Sequence, residues 1–172
     1  GSAHGRAGAL TRRSFVKPPA RRVQETLTAL GIDRKLIELS VSAKTSREAA
    51  AALGVSVAQI AKSLVFASNG SPVLVIASGA NRVDERKLEG LVGGKIRKAD
   101  PEMVKQATGF PIGGVPPLGH TAPLPTFIAR DLFQHDVIYP AGGVPECVFP
   151  ISPDELLRAT GGTVADLKEE KP

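Results

Sequence analysis

The sequence predicts an α+β fold built on a mixed β-sheet. Candidate strands and helices are interleaved without the strict β-α-β alternation of an all-parallel sheet. One strand pair, Ser63–Ala67 and Val73–Ala77, flanks Ser68-Asn69-Gly70-Ser71-Pro72, and Asn-Gly between two apolar runs is a strong hairpin signal. The 172 residues are 42% apolar and 23% charged, which suits one compact globule.

Each element has a local reason. Residues 1–20 are rich in Gly, Ala and Arg and end in Pro18-Pro19. They read as a basic, mostly disordered tail, with residues 21–172 as the single folded domain. Gly1-Ser2 without an initiator Met reads as a tag remnant. A helix is expected from about Ala20, because Val23, Leu27 and Leu30 fall at helical spacing and Gly31 suits a C-cap. Leu36–Val41 is a short strand candidate. The next helix starts at Thr45-Ser46, with Ser46 as its cap, Glu48 and Ala49–Ala52 extending it and Gly54 ending it. Val57–Ala61 reads as one more helical turn before the hairpin.

Beyond the hairpin, Asp84–Leu91 reads as a short helix, with Asp84 and Glu85 where acids suit the helix dipole. Lys95–Lys98 is a basic strand candidate. Asp100 as N-cap and Pro101 at the first position open a helix to about Thr108, stopped by Gly109. A loop, Phe110–Pro125, follows. Then come three short strand candidates: Thr126–Ala129, Val137–Tyr139 and Glu146–Phe149. Ser152-Pro153 starts a helix through Ala159, ended by Gly161-Gly162, and Val164–Lys168 reads as a last turn.

Composition excludes several functional classes. The single cysteine, Cys147, permits no intrachain disulfide, and no Cys/His cluster has metal-ligand spacing. No metal or cofactor is expected. No apolar run approaches the ~20 residues that cross a bilayer, and residues 1–20 hold no signal-peptide core. A cytoplasmic protein without a membrane partner is expected. With six Phe, one Tyr and no Trp, aromatic platforms for single-stranded nucleic acid are poorly supplied. The net charge of +5 and pI of about 9.6 favour a polyanionic partner, although an ordinary solvated surface accounts for them equally well.

The densest chemical signal is the loop from Thr108 to His120, Thr108-Gly109-Phe110-Pro111-Ile112-Gly113-Gly114-Val115-Pro116-Pro117-Leu118-Gly119-His120. Glycines admit close approach of backbone N–H groups to a ligand, and prolines stiffen the segments between them. Such a loop can offer donors to an oxyanion or a phosphate, or simply be a structural surface loop. Gly114-x4-Gly119-His120-Thr121 nearly spells a phosphate-binding P-loop. It fails because His120 replaces the Lys and two prolines remove N–H donors. Lys62, at the mouth of the first hairpin strand, reads either as a cation that holds a phosphate or polarises a carbonyl, or as a snorkelling strand-end Lys. His120 is a possible base or donor, but a lone loop His is more often a polar surface group. His4 and His135 read as surface residues. Cys147 reads as core rather than nucleophile. No Ser or Cys occupies a G-x-S-x-G elbow.

Taken together, Ile60-Ala61-Lys62-Ser63-Leu64-Val65-Phe66, the loop Thr108–Gly119 and Tyr139-Pro140-Ala141-Gly142-Gly143 occur in the order and spacing of one family. The chain resembles the YbaK/EbsC family, which is similar to the editing domain inserted in bacterial prolyl-tRNA synthetases. The likeness covers about residues 21 to 168. It implies a mixed, barrel-like β-sheet flanked by helices. It also implies a free-standing deacylase that hydrolyses the ester joining a wrong amino acid to tRNA, most often tRNA for proline carrying a small residue such as Ala, Cys or 2-aminobutyrate.

The resemblance assigns roles. Lys62, Gly113 and Gly114 are the implied catalytic residues, with the glycine pair lining the ester. Pro116, Gly119, Ala141, Gly142 and Gly143 are the implied substrate-binding residues. The implied partners are the 3′ acceptor end of aminoacyl-tRNA and prolyl-tRNA synthetase. Members specific for Cys-tRNA carry Ser immediately before the second Gly-Gly. Ala141 stands there in this chain, which favours a small apolar substrate over Cys. The competing reading is a non-catalytic module of the same fold that binds tRNA or a synthetase.

Overall fold

The computed structural model describes residues 7–9, 17–40 and 45–170. The expectation of a disordered tail falls mostly outside them. Within them, β1 (Ala7–Ala9) pairs with β2 (Ile37–Leu39), and α1 (Pro18–Ala29) begins two residues before the expected start. α1 opens with Pro at its first positions, where the missing N–H costs no helical bond. It buries Ala20, Val23 and Leu27, which fall on one face at helical spacing.

α2 (Ser46–Leu53) is capped by Thr45, not Ser46. The Thr45 hydroxyl accepts from Glu48 N–H, which shifts the expected cap by one residue. The expected turn at Val57–Ala61 is a 3₁₀ turn over Val57–Gln59 only, because Ile60 is already extended and begins β3 (Ile60–Ser68). β3 and β4 (Ser71–Ser78) form the expected antiparallel hairpin, with Ser68 opposite Ser71. Asn69 and Gly70 both take positive φ (52° and 79°), the geometry that a two-residue hairpin turn demands.

α3 (Glu85–Val92), α4 (Pro101–Thr108) and α5 (Pro153–Thr160) lie where helices are expected; Asp100 caps α4 as expected, while Asp84, expected in the first turn of α3, is its cap instead. Asp84, Asp100 and Ser152 accept from N–H groups of the first turn, and Gly93, Gly109 and Gly161 end the helices in the left-handed conformation. β5 (Ile96–Lys98) pairs with the far end of β3.

The larger sheet has the order β5-β3-β4-β6-β9, and β7 also pairs with β3. β6 (Thr126–Ala129) lies parallel to β4, and β9 (Thr163–Ala165) lies parallel to β6. The sheet is mixed, as expected, but it is not closed into a barrel. β9 replaces the helical turn expected over Val164–Lys168. The smaller sheet is β1-β2-β8, with β8 (Cys147–Val148) antiparallel to β2. One hairpin-like segment joins the sheets. β7 (Tyr139–Pro140) enters it from the large sheet, and β8 leaves it in the small one, bridged by Ala141 opposite Val148.

The main core lies between the large sheet and the helices. Phe66, Phe110 and Phe149 are almost fully buried in it, each worth about 1.5–3 kcal/mol of burial. Cys147 is 3% exposed, and burial pushes its thiol up to about 12. It is a core residue, as read from the sequence. Among the described residues no helix is long and apolar enough to cross a membrane.

Candidate active site

The pairing of β3 leaves a gap in the sheet. At one end its outer edge is taken by β7, through Ile60 and Ala61. At the other end it is taken by β5, through Phe66 to Ser68, and by Ala99, whose N–H donates to Val65 O. Between them, among the described residues, no strand pairs with this outer edge at Lys62, Ser63 or Leu64. Gly79 N–H donates to Ile60 O across the β4 side, so alternation turns the Ser63 N–H and C=O toward the open edge. Two cavities flank this gap, of about 360 and 400 Å³. They share Lys62, Ser63, Leu64, Ile112 and Val115.

Lys62 is therefore the wall between two hollows, as its position at a strand mouth allows. It is half-buried, and among the described residues it makes no hydrogen bond or ion pair. Burial lowers its pKa, and the cations Arg82 and Lys98 lower it further. The smaller cavity also holds Arg82, Lys98, Glu85 and Glu169. The other is lined mostly by small and apolar groups, among them Ala49, Ile60, Ala61, Ala141 and Val148, together with the hydroxyl residues Thr45 and Ser46.

Ser63 was overlooked by sequence reasoning, although it is adjacent to Lys62. Its hydroxyl oxygen is buried and has no partner among the described residues. Buried polar atoms are paired in most folded proteins, so an orphan beside an open cavity is available to a ligand. Ser63→Ala removes no internal hydrogen bond. It is expected to leave the unfolding free energy unchanged or to raise it, since a buried unpaired hydroxyl costs about 1–3 kcal/mol. An accompanying rise in KM, measured on the same protein, would therefore report contact with substrate.

The glycine loop is held shut at its base. Thr108 Oγ1 donates to Val104 O at 2.7 Å and accepts from Phe110 N–H at 3.0 Å, while Thr121 N–H donates to Thr108 O. His120 Nε2 donates to Pro116 O at 2.7 Å, and its ring stands edge-on to Phe110. His120 is thus a strut inside the loop. Burial lowers its pKa, and Arg22 adds to this against the raising effect of the Pro116 bond. A depressed folded pKa means that the unfolded chain takes up the proton more readily. Stability from neutral His120 is complete above the unfolded pKa of about 6.5 and is lost as pH falls through the folded one. Unfolding midpoints at pH 7.5 and 5.0 are expected to show that loss, and His120→Gln is expected to lessen it.

The tip of the loop is a turn in which Gly114 N–H donates to Pro111 O at 3.2 Å. Gly113 supplies the positive φ of 94° at its third position, as a type II turn requires. Gly113 is exposed and lines the apolar cavity, and its N–H has no partner among the described residues. Ile112, beside it, is 59% exposed and lines both cavities.

The structure brings together Lys62, Gly113 and Ala141. The other residues expected to act lie behind them. Gly114 is buried with its N–H engaged, and a Cβ there would stand 2.6 Å from Gly143 O. Gly142 would meet Leu36, and Gly143, at φ 97°, would meet Pro19 O at 2.6 Å. Pro116 is buried and lines neither cavity, while Gly119 lines a separate groove against α1. Arg82 and Lys98 carry no motif and were not singled out. The basic run Lys95–Lys98 was the one visible signal, and it points to Lys98 alone.

Chemically, the cavities on either side of the gap are lined by a cation, Lys62, by the free turn N–H of Gly113 and by the strand edge at Ser63. That set can bind an ester and stabilise charge on its carbonyl oxygen. Among the described residues no group of three His, Cys, Asp or Glu could hold a metal ion.

Comparison with known proteins agrees with this fold. The family model described as the aminoacyl-tRNA editing domain matches residues 40–159. The uncharacterized protein YwhH of Bacillus subtilis is 32% identical over 135 residues, covering 78% of this chain and 86% of YwhH. A proline–tRNA ligase of Nitratidesulfovibrio vulgaris is 38% identical over 78 residues, covering 45% of this chain but 14% of the ligase. A crystal structure of "a putative trans-editing enzyme for prolyl tRNA synthetase" superposes with a TM-score of 0.87 at 48% identity. It covers 90% of this chain and 99% of that one.

Proposed function

This chain belongs to the aminoacyl-tRNA editing domain family, and from that membership we propose that it is a trans-acting deacylase that frees tRNA for proline from a small, wrongly attached amino acid. The observation that carries this reading is Lys62, a half-buried cation without an internal partner, standing between two open cavities. The role belongs to the cytoplasm, where tRNA is charged and used, and prolyl-tRNA synthetase is the natural source of the substrate.

The chemistry follows from the donor set. Water attacks the ester carbonyl carbon, and negative charge develops on the carbonyl oxygen. Lys62 and the N–H of Gly113 or Ser63 stabilise that charge. The bond to the ribose oxygen then breaks, the ribose oxygen takes a proton, and a free amino acid leaves. Among the described residues no base is hydrogen-bonded to the Ser63 hydroxyl to activate it, so water is the attacking group and the neighbouring ribose hydroxyl can relay its proton. The side chain of the amino acid enters the apolar cavity, whose walls include Ala49, Ala61 and Ala141. Ala141 offers no polar partner, which supports Ala or 2-aminobutyrate over Ser. Each methylene is worth only about 1–3 kcal/mol of discrimination in such a pocket.

A deacylation panel tests the reading. The protein is incubated with tRNA for proline charged with Ala, Cys, Ser, 2-aminobutyrate or Pro. Release of Ala or 2-aminobutyrate well ahead of Pro is expected. Release from none of the five sinks the proposal.

A further inference from the structure

The smaller cavity carries an imbalance that ester hydrolysis alone does not explain. Lys62, Arg82 and Lys98 all line it, and Arg82 and Lys98 are near enough to depress the Lys62 pKa. Like charges gathered around one hollow repel each other, and folded proteins ordinarily offset them with carboxylates. Glu85 and Glu169 line the same cavity. Neither is within ion-pair distance of any of the three, since the ion pairs among the described residues lie elsewhere. The three cations are thus arranged around space rather than around acids. The other cavity, on the far side of Lys62, is lined by small apolar groups and the hydroxyl residues Thr45 and Ser46, and among the described residues it holds no Arg or further Lys.

We propose that the cavity beneath Arg82 and Lys98 seats the phosphodiester that joins the terminal nucleotide to the rest of an RNA strand. This rests on the deacylase reading, and it gives the substrate a direction. The acyl group points into the apolar cavity, the ester lies at Lys62, and the backbone phosphate lies at Arg82 and Lys98. The strand leaves past Lys98, which is exposed at the end of β5. A guanidinium suits this role because its fork matches two phosphate oxygens at once.

Binding tests this without requiring hydrolysis. A labelled, uncharged RNA hairpin with a single-stranded CCA end is titrated into the full chain. R82A/K98A is expected to raise Kd about tenfold or more. The slope of log K against log salt should flatten by about 0.7 for each phosphate that the variant no longer neutralises. Arg158→Ala, on α5 and outside both cavities, is the control for general charge. A Kd unchanged in R82A/K98A, or changed no more than in Arg158→Ala, overturns the proposal. Adenosine 5′-monophosphate and inorganic phosphate serve as competitors. Displacement by either as tightly as by the hairpin assigns the cavity to a free phosphate ligand and overturns the RNA assignment. In a second arm, alanyl esters of adenosine with and without a 5′-phosphate are hydrolysed. The preference of the wild type for the phosphate-bearing ester is expected to fall about tenfold in R82A/K98A, and an equal loss on both esters overturns the proposed direction. If the wild type cleaves no ester, the deacylase reading fails, while the hairpin titration still decides the phosphate site.

Discussion

Lys62→Ala is expected to lower deacylation of mischarged tRNA by about 10²–10³-fold, the loss that follows removal of one donor to a developing oxyanion. The fold should survive, and the sign of the stability change separates the two effects. Lys62 has a folded pKa below its unfolded one, mainly through burial and then through Arg82 and Lys98. Its protonated form therefore opposes folding at neutral pH, and the penalty fades as pH rises through the folded pKa. Lys62→Met keeps the aliphatic stem and removes the charge. Its thermal midpoint at pH 7 is expected to equal or exceed that of the wild type while activity is lost. A midpoint several degrees lower would mean that the ammonium is a structural group. Full activity in the variant would remove Lys62 from the site.

Gly143→Ala is expected to do the reverse, costing roughly 3 kcal/mol of stability while sparing the chemistry of the folded fraction. The position has a positive φ of 97°, and an added Cβ would lie 2.6 Å from Pro19 O and 2.7 Å from Pro19 C. Strain at such a φ costs about 1–3 kcal/mol, and overpacking against backbone adds a similar amount. For a chain of this size that is a fall of about 6–12 °C in Tm. Gly113→Ala is the informative partner. Its φ is 94°, but the nearest atom to an added Cβ is Pro145 Cγ at 3.8 Å, so only the backbone strain applies. Unfolding in denaturant, with kcat/KM measured well below each midpoint, distinguishes the two. Loss of kcat/KM in Gly143→Ala without loss of stability would return Gly143 to the substrate.

The local framework was largely legible in the sequence, because the rules it uses are local. Asn69-Gly70 specifies its turn by demanding two positive φ angles. Asp84, Asp100 and Ser152 specify helix starts with one acceptor each. What escaped was decided at a distance. Thr163–Ala165 has too few residues to show a period, and it is a strand only because β6 offers it an edge. Thr45 rather than Ser46 caps α2, a choice between adjacent hydroxyls that sequence does not resolve. The site was legible only in part and for the same reason. Lys62 stood out through the family pattern around it. Gly114, Gly142 and Gly143 shared that pattern, yet in the structure they are places where backbones touch, and a pattern does not separate contact with a ligand from contact with the chain itself. Arg82 and Lys98 belong to separate segments and converge only when β5 is laid along β3.

The gap beside Ser63 also bears on solubility. An unpaired strand edge is a template on which a second molecule can add a strand and begin an aggregate. Here the open stretch is only three residues long, and β7 and β5 stand at either end of it. Strands most often run to about five or six residues, so three residues offer a neighbouring chain little edge to grip, while a ligand that needs one or two amide groups finds enough. At this gap the fold keeps strand-edge groups open for chemistry while leaving too short an edge there for self-association.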